Sequence, residues 1–281
     1  MPNPIADPLV EGVDTDAVSP LVHLESTLEG VTVVTLNRPA QRNAFDSALV
    51  AALHEAFETL QGAEGVRVVL LRGAGGMFCA GADLDWMARA ADLSEADNRE
   101  DAMALAVMLK ALWDIPALTV ALVEGGGFGG GAGLVAACDM AVATKAAKFS
   151  FSEVKLGLVA ATISPYVVAA IGPRAARALF ATARVFDAGY AQRIGLVDEV
   201  VEDAQGLSDA ADKIIEMAMA CSPDAVAASK QLVAAVMGRE INHQLMDDTA
   251  RRIARARVSP EGQEGVRAFL AKRKPSWAAG N

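Results

Sequence analysis

The chain is short of cysteine, of histidine and of positive charge. Its three cysteines, Cys79, Cys138 and Cys221, are far apart and odd in number. That excludes a disulfide framework and fits a reducing compartment, so a cytoplasmic location is expected. Three histidines (His23, His54 and His243) stand alone, and neither H-E-x-x-H nor C-x-x-C occurs, so no sequence pattern for a metal is present. Lys and Arg number 25 against 35 Asp and Glu, for a net charge of −10. No basic stripe exists to neutralise phosphates, which excludes nucleic acid as a partner. A small anionic ligand stays open, because local N–H groups and a few cations can bind one inside an acidic protein. The longest apolar runs, such as LVAATISPYVVAAIG from Leu158, contain proline and stop short of a membrane span, so no membrane partner is expected. Walker A and G-x-S-x-G sequences are also missing. The first twenty residues are acidic and proline-rich and lack a basic-then-apolar leader, so residues 1–20 are expected to be a flexible tail.

Apolar residues make up 53% of the chain while aromatics make up only 5%. Ala, Val and Leu therefore build the core, which suits tightly packed helix-on-sheet layers. Strands are expected at Leu21–Ser26 and Val31–Leu36, then a helix over Ser47–Leu60 capped by Asp46. The apolar runs VRVVLL (66–71) and TVALV (119–123) read as strands buried on both faces. Gly157–Ile171 reads as mixed, broken at Pro165. From Gly206 onward the pattern is all helix: 206–221, 223–237, 241–256 and 260–272. Repeated strand–loop–helix units followed by helices give an α/β class, with a core over 21–205 and a helical subdomain over 206–281.

The strand TVALV runs into seven residues of which six are glycine, Gly125 to Gly131, with a helix expected from about Ala132. Gly125, Gly127 and Gly130 spell G-x-G-x-x-G, a dinucleotide fingerprint by itself. Three features count against it. The loop lies in mid-chain, the next strand ends in Thr144-Lys145 without an acid for a ribose, and three further glycines exceed what that turn needs. A second small-residue loop, FCAGADL (Phe78 to Leu84), also follows a strand. Two such loops can bring two N–H groups to one carbonyl oxygen, an oxyanion hole worth roughly 3–4 kcal/mol per donor; two ordinary tight connections are the plainer reading. Glu153, in KFSFSEVKLGLV, is a carboxylate among small and apolar residues, where a raised pKa suits a proton shuttle; capping a helix after Ser152 is its alternative role. Cys79 and Cys138 read as small buried hydrophobes. Glu124 is expected to anchor a strand end, and Trp86, Met87 and Trp113 to pack the core or edge a pocket.

Together these segments resemble the crotonase, or enoyl-CoA hydratase/isomerase, family. The matching stretches are LNRPAQRNAF (36–45), FCAGADLDWM (78–87), GGGFGGGAGLVAACDMAVA (125–143), FSFSEVKLGLV (149–159), FDAGYAQRIGLVDEVV (186–201) and EGVRAFLAKRKPSW (264–277), in family order. The resemblance implies a spiral of ββα units with a C-terminal helical subdomain that forms homotrimers, often paired into hexamers. It implies an acyl-CoA thioester as substrate, with coenzyme A part of that substrate and no separate cofactor or metal. Ala82 and Gly130 would donate two N–H groups to the thioester oxygen, and Glu153 would be the acid/base. Ala40, Arg42 and Ala44, with Ala80, Gly81, Asp83 and Leu84, would line the CoA site, and Gly129 and Gly133 would border the acyl group. Arg42, and Lys272 of a neighbouring subunit, would meet CoA phosphates. Asp83 also has a local task open to it, hydrogen bonding within its loop.

The chain departs from the two-carboxylate hydratases of that family, which carry Glu in a GGGxE arrangement. Here the run is Gly129-Gly130-Gly131-Ala132-Gly133, so one of two carboxylates is replaced by glycine. The expected function is hydration of a 2-enoyl-CoA with Glu153 as single acid/base. The runs GGGAGLVAACD and SEVKLGLVAATISPYVVAAIG resemble most the methylglutaconyl-CoA hydratase-like branch, which acts on branched, carboxylated enoyl-CoAs in leucine and acyclic-terpene breakdown. Room left by Gly133 is expected to admit a branched acyl group. A Δ3,Δ2-enoyl-CoA isomerase, with Glu153 moving a proton between C4 and C2, is the alternative, and a non-catalytic acyl-CoA binder is a third reading.

Overall fold

The structure, a computed structural model, describes residues 21–278. The expected 1–20 tail lies outside the described residues. Strands β1 (Val22–Ser26) and β2 (Val31–Leu36) form an antiparallel hairpin, and α1 (Ser47–Gly62) follows. Asp46 starts α1 as expected, its carboxylate accepting the Leu49 N–H at 2.8 Å. The apolar stripe Leu49, Val50, Leu53, Phe57 and Leu60 is the buried face. Next come β3 (Val68–Gly73), α2 (Leu84–Ala91) and α3 (Glu95–Trp113). Two similar units follow: β4 (Leu118–Val123), β5 (Gly126–Phe128) and α4 (Gly130–Ala137), then β6 (Met140–Thr144), β7 (Lys148–Ser150) and α5 (Ser164–Thr182). The order continues with β8 (Phe186–Asp187), α6 (Ala188–Ile194), β9 (Glu199–Val201), α7 (Ala204–Met219), α8 (Pro223–Val236), α9 (His243–Val258) and α10 (Pro260–Leu270).

A six-stranded sheet has the order β1-β2-β3-β4-β6-β9, and β5-β7-β8 form a smaller one. Strands β2 with β3, β4 with β6, and β6 with β9 run parallel. All six residues of β2 and five of the six in β4 are buried, as strands covered on both faces require, with Thr32, Thr35 and Thr119 the buried polar members. Each of the units β4-β5-α4 and β6-β7-α5 puts its first strand in the large sheet and its second in the small one. The junction is fixed by Asp139, whose carboxylate accepts the Thr119 N–H (2.8 Å) and hydroxyl (2.9 Å) across β4 and β6.

Two compact units result: described residues up to Ile115 together with Thr119–Lys213, and Pro116–Leu118 together with Ile214 onward. The division falls inside α7, not at its start. In the second unit α8, α9 and α10 pack on one another. The Glu261 carboxylate of α10 accepts from the Ser222 hydroxyl and, at 3.0 Å, from the Asp224 N–H at the start of α8.

Two local expectations change. The glycine run is not one open loop. Gly126–Phe128 pairs with β7 as β5, and α4 begins at Gly130, earlier than expected. A side chain at Gly126 would meet the Lys148 carbonyl at 2.1 Å, so glycine lets two strands approach. Pro165 does not interrupt a mixed segment either. It sits in the first turn of α5, where its missing N–H costs nothing, and the helix breaks later at Gly172 (φ 73°) before Pro173.

Candidate active site

The loop after β3 and the glycine segment run side by side. Cys79 makes a parallel bridge to Gly127, donating to the Gly126 carbonyl (3.2 Å) and accepting from the Phe128 N–H (3.0 Å). Two residues on, a side chain at Gly81 would begin 2.8 Å from the Phe128 carbonyl and 3.8 Å from the Gly129 nitrogen. Phe45 bridges Ala82 in the same parallel manner. Its N–H donates to the Gly81 carbonyl at 2.7 Å, and its carbonyl accepts the Asp83 N–H at 2.8 Å. A residue bracketed in this way turns its own N–H to the other side of the strand. The Ala82 N–H therefore faces outward, at an exposed position, without a partner among the described residues.

Gly130 opens α4, and its N–H is one of the donors a helix leaves unsatisfied at its start. It too has no partner among the described residues. Gly129 before it adopts φ 48°, ψ −119°, a backbone state that strains any L side chain, and is anchored by donating to the Ser150 carbonyl at 2.9 Å. The Phe45 ring closes the other side: a side chain at Gly130 would start 2.6 Å from its Cε2. Phe45, 1% exposed, thus touches both donors, through its backbone at Ala82 and its ring at Gly130.

Glu153 begins a short 3-10 turn, Glu153–Leu156, after β7. The approach is held by aromatics: Phe149 stacks on Phe186 (5.8 Å between centroids), and Phe151 meets Phe180 of α5 edge-on (5.1 Å). The carboxylate lies against Gly129, Oε1 being 3.3 Å from where a side chain there would begin. Oε2 is buried with no hydrogen-bond partner. Desolvation pushes its pKa above the ordinary carboxylate range, opposed by its own backbone N–H. An unpaired, hard-to-ionise carboxylate lying against Gly129, next to the free N–H of Gly130, can move a proton near a carbonyl whose oxygen that donor holds.

The sequence model for enoyl-CoA hydratase/isomerase matches residues 26–280. The chain belongs to the crotonase family. Human mitochondrial methylglutaconyl-CoA hydratase is 30% identical over 261 residues, covering 91% of this chain and 76% of that protein. Among solved structures, Pseudomonas aeruginosa AtuE is 41% identical with a TM-score of 0.88, covering 92% of this chain and 99% of that one. An enoyl-CoA hydratase from Shewanella pealeana is 38% identical with a TM-score of 0.88, covering 92% and 96%. Membership makes the protein an enzyme of acyl-CoA chemistry and gives the two sheets and their ββα units the crotonase spiral.

In this crotonase the residues around the donors are distributed as follows. Ala80 donates to the Arg42 carbonyl at 3.0 Å, so 40–44 and 80–84 are neighbouring segments; Ala40 and Arg42 are exposed, and Ala44 is buried. Leu84 is 78% exposed. Asp83 takes the local role: it caps α2 by accepting from the Asp85 and Trp86 N–H groups and pairs with Arg38 at 3.2 Å. Burial works against its ionisation, yet those N–H groups and Arg38 hold its pKa below the usual range. Lys272 is an exposed residue of the second unit, at φ 53°. Glu124 anchors the end of β4, its carbonyl accepting from Phe78 and Gly126, while its carboxylate lies beside Gly76. Cys79 is fully buried, which pushes its thiol up to about 12 and leaves it no nucleophilic role. Trp86 donates to Asp101 of α3 at 3.2 Å, and Trp113 packs on Tyr166.

The room expected beside Gly133 is not there. Gly133 is buried in α4, and a side chain on it would begin 2.2 Å from Ile163 Cγ2 and 2.8 Å from Ile163 Cβ. Ile163, 2% exposed, fills that volume.

Two positioning residues were missed in the sequence, although both lie in LNRPAQRNAF. Arg38 donates to the Ala44 carbonyl (2.5 Å) and pairs with Asp46 (3.1 Å) and Asp83. Asn43, fully buried at φ 57°, accepts the Arg38 N–H (2.8 Å) and donates to the carbonyls of Ala74 (2.9 Å) and Met77 (2.6 Å). A polar pair around a turn before a helix is the signal that could have found them.

Proposed function

We propose that this protein is an enoyl-CoA hydratase that adds water across the C2=C3 bond of a 2-enoyl-CoA, with Glu153 as its single acid/base. The observation that carries the reading is the Glu153 carboxylate itself, unpartnered at Oε2 and lying over Gly129, next to the free N–H of Gly130. The thioester oxygen takes the N–H groups of Ala82 and Gly130. Water, giving a proton to the Glu153 carboxylate, bonds through oxygen to C3. The C2=C3 electron pair moves toward the carbonyl, and the charge gathers on an enolate oxygen held by the two donors. Protonated Glu153 then returns its proton to C2, the carbonyl reforms, and H and OH have added to the same face. The positive end of α4 stabilises the enolate further.

Relatives named hydratases support this reaction over a double-bond shift. A branched, methylglutaconyl-like acyl group rests on likeness to such relatives alone, since Ile163 takes the space beside Gly133. Coenzyme A lies along 40–44 and 80–84, with Arg42 and a neighbouring subunit's Lys272 on its phosphates, in a cytoplasmic homotrimer or hexamer. The isomerase reading keeps one argument, that a single carboxylate suffices to carry a proton from C4 to C2.

The test incubates the enzyme with crotonyl-CoA, 3-methylglutaconyl-CoA and a 3-enoyl-CoA. Loss of conjugated-thioester absorbance from the first two is expected, at a rate at least about a hundredfold lower in Glu153→Gln. A variant as fast as the parent would remove Glu153 from the mechanism. Absorbance appearing from the 3-enoyl-CoA, with none lost from the others, would make the enzyme an isomerase.

A further inference from the structure

Position 133 is where this chain lacks a second carboxylate, and its neighbour explains more than the glycine alone. A Cβ at 133 would sit 2.2 Å from Ile163 Cγ2, far inside van der Waals contact. Ile163 cannot swing away. It is β-branched, with few rotamers, and its own Cβ, which moves only with the backbone, would be 2.8 Å off. That backbone is fixed on both sides: the Ile163 carbonyl accepts the Val167 N–H at 3.1 Å, and the Ser164 N–H donates to Ala161 at 3.1 Å. Pro165 in the first turn of α5 stiffens it again. On the other side, Gly133 donates to the Gly129 carbonyl at 3.1 Å, one helical turn from the glycine that Glu153 covers.

We propose that Ile163 is a specificity-determining residue: it occupies the volume a side chain at 133 needs, and so restricts the site to one carboxylate. Gly133 and Ile163 are then a matched pair, and replacing the glycine alone cannot install a second acid/base. This inference rests on the single-carboxylate reading above.

Thermal melts of Gly133→Ala, Ile163→Ala and the double variant test the pairing without any need for activity. Gly133→Ala is expected to lower Tm by about 5 °C or more while Ile163 is present, and by much less, or not at all, in the Ile163→Ala background. Additive shifts would overturn the pairing. For chemistry, Gly133→Glu/Ile163→Ala is compared with Ile163→Ala and with Gly133→Glu in hydration of crotonyl-CoA. The double variant is expected to exceed both in kcat/KM by about tenfold. A Gly133→Glu variant that folds and turns over as well as the double would overturn the proposal, and so would a double variant no faster than Ile163→Ala. Failure of the single-base mechanism would show separately, as full activity in Glu153→Gln with the coupled melts unchanged.

Discussion

At the scale of single residues, the burial of Glu153 links catalysis to stability. Desolvation raises its pKa, so the folded state holds this proton more tightly than the unfolded chain. The group therefore favours folding fully below the ordinary carboxylate range, and that contribution is lost as pH rises through the raised folded value. Above it the protein keeps a partly desolvated charge with an unpaired oxygen. Glu153→Gln, while losing activity, should raise Tm at pH 8 and have little effect at pH 4; melts in which the gain is largest in acid would refute this. The same shift predicts that the acid limb of kcat/KM lies above the pH where an ordinary glutamate ionises, measured on crotonyl-CoA. Gly130 gives a second prediction. Its added methyl would start 2.6 Å from the ring of Phe45, the residue whose backbone pairs with the Ala82 strand. Gly130→Ala should cut kcat by about a hundredfold, the order of losing one oxyanion donor, while CoA affinity measured by calorimetry changes little. Equal losses in both would point to collapse of the whole loop instead.

At the scale of elements, the Gly130 donor is fixed by the start of α4, whereas the Ala82 donor lies on a short segment paired with Phe45, and Arg38 and Asn43 tie that pair of segments together. Asn43→Asp keeps the shape but replaces two N–H donors by an oxygen facing the carbonyls of Ala74 and Met77. A cost on the order of 3 kcal/mol follows from leaving buried acceptors unpaired against it. Denaturant melts should show that loss, with a fall in kcat beyond what the unfolded fraction explains; a near-neutral variant would mean the loop is held elsewhere. Most elements were legible in the sequence because their periodicity is strong. The stripe Leu49, Val50, Leu53, Phe57 and Leu60 predicted α1, Asp46 its start, and the run of TVALV a covered strand. The misses share a cause, namely contact with a partner distant in sequence. Gly126–Phe128 reads as loop, yet it pairs with Lys148–Ser150. Pro165 read as a break because its position within a helix depends on where that helix starts. Ala82 and Gly130 are legible only through the family resemblance and Glu153 also through its small, apolar surroundings, whereas Ile163 against Gly133 carries no local signal at all: a small residue reveals a vacancy but not what fills it.

At the scale of the whole molecule, the first unit contains the donors and Glu153, while the second carries apolar surface that a lone chain leaves in water. On α10 Phe269 is 82% and Leu270 74% exposed, and Ile241, just before α9, and Val258, its last residue, are also bare. Adjacent large apolar side chains such as Phe269 and Leu270, bare at the end of a helix, are what a subunit contact covers. The region is otherwise well built: Arg273 pairs with Glu264 through two contacts of 2.6 and 2.8 Å, and Trp277 donates to the Ala220 carbonyl at 3.2 Å. Those bonds hold the segment around Lys272 in one shape, as the contact proposed for it with a neighbouring subunit's ligand would require. Sedimentation velocity should therefore find homotrimers or hexamers at micromolar concentration. Phe269→Glu with Leu270→Glu should shift the protein to monomer by desolvating two carboxylates if they assemble. The monomer should keep its helical circular dichroism but show a raised KM for acyl-CoA, because each site would lose the neighbour's Lys272. Lys272→Ala should raise KM similarly without changing sedimentation. A parent protein that sediments as a monomer and is fully active would refute both the assembly and the shared CoA site, whereas trimers indifferent to Lys272→Ala would refute only the second.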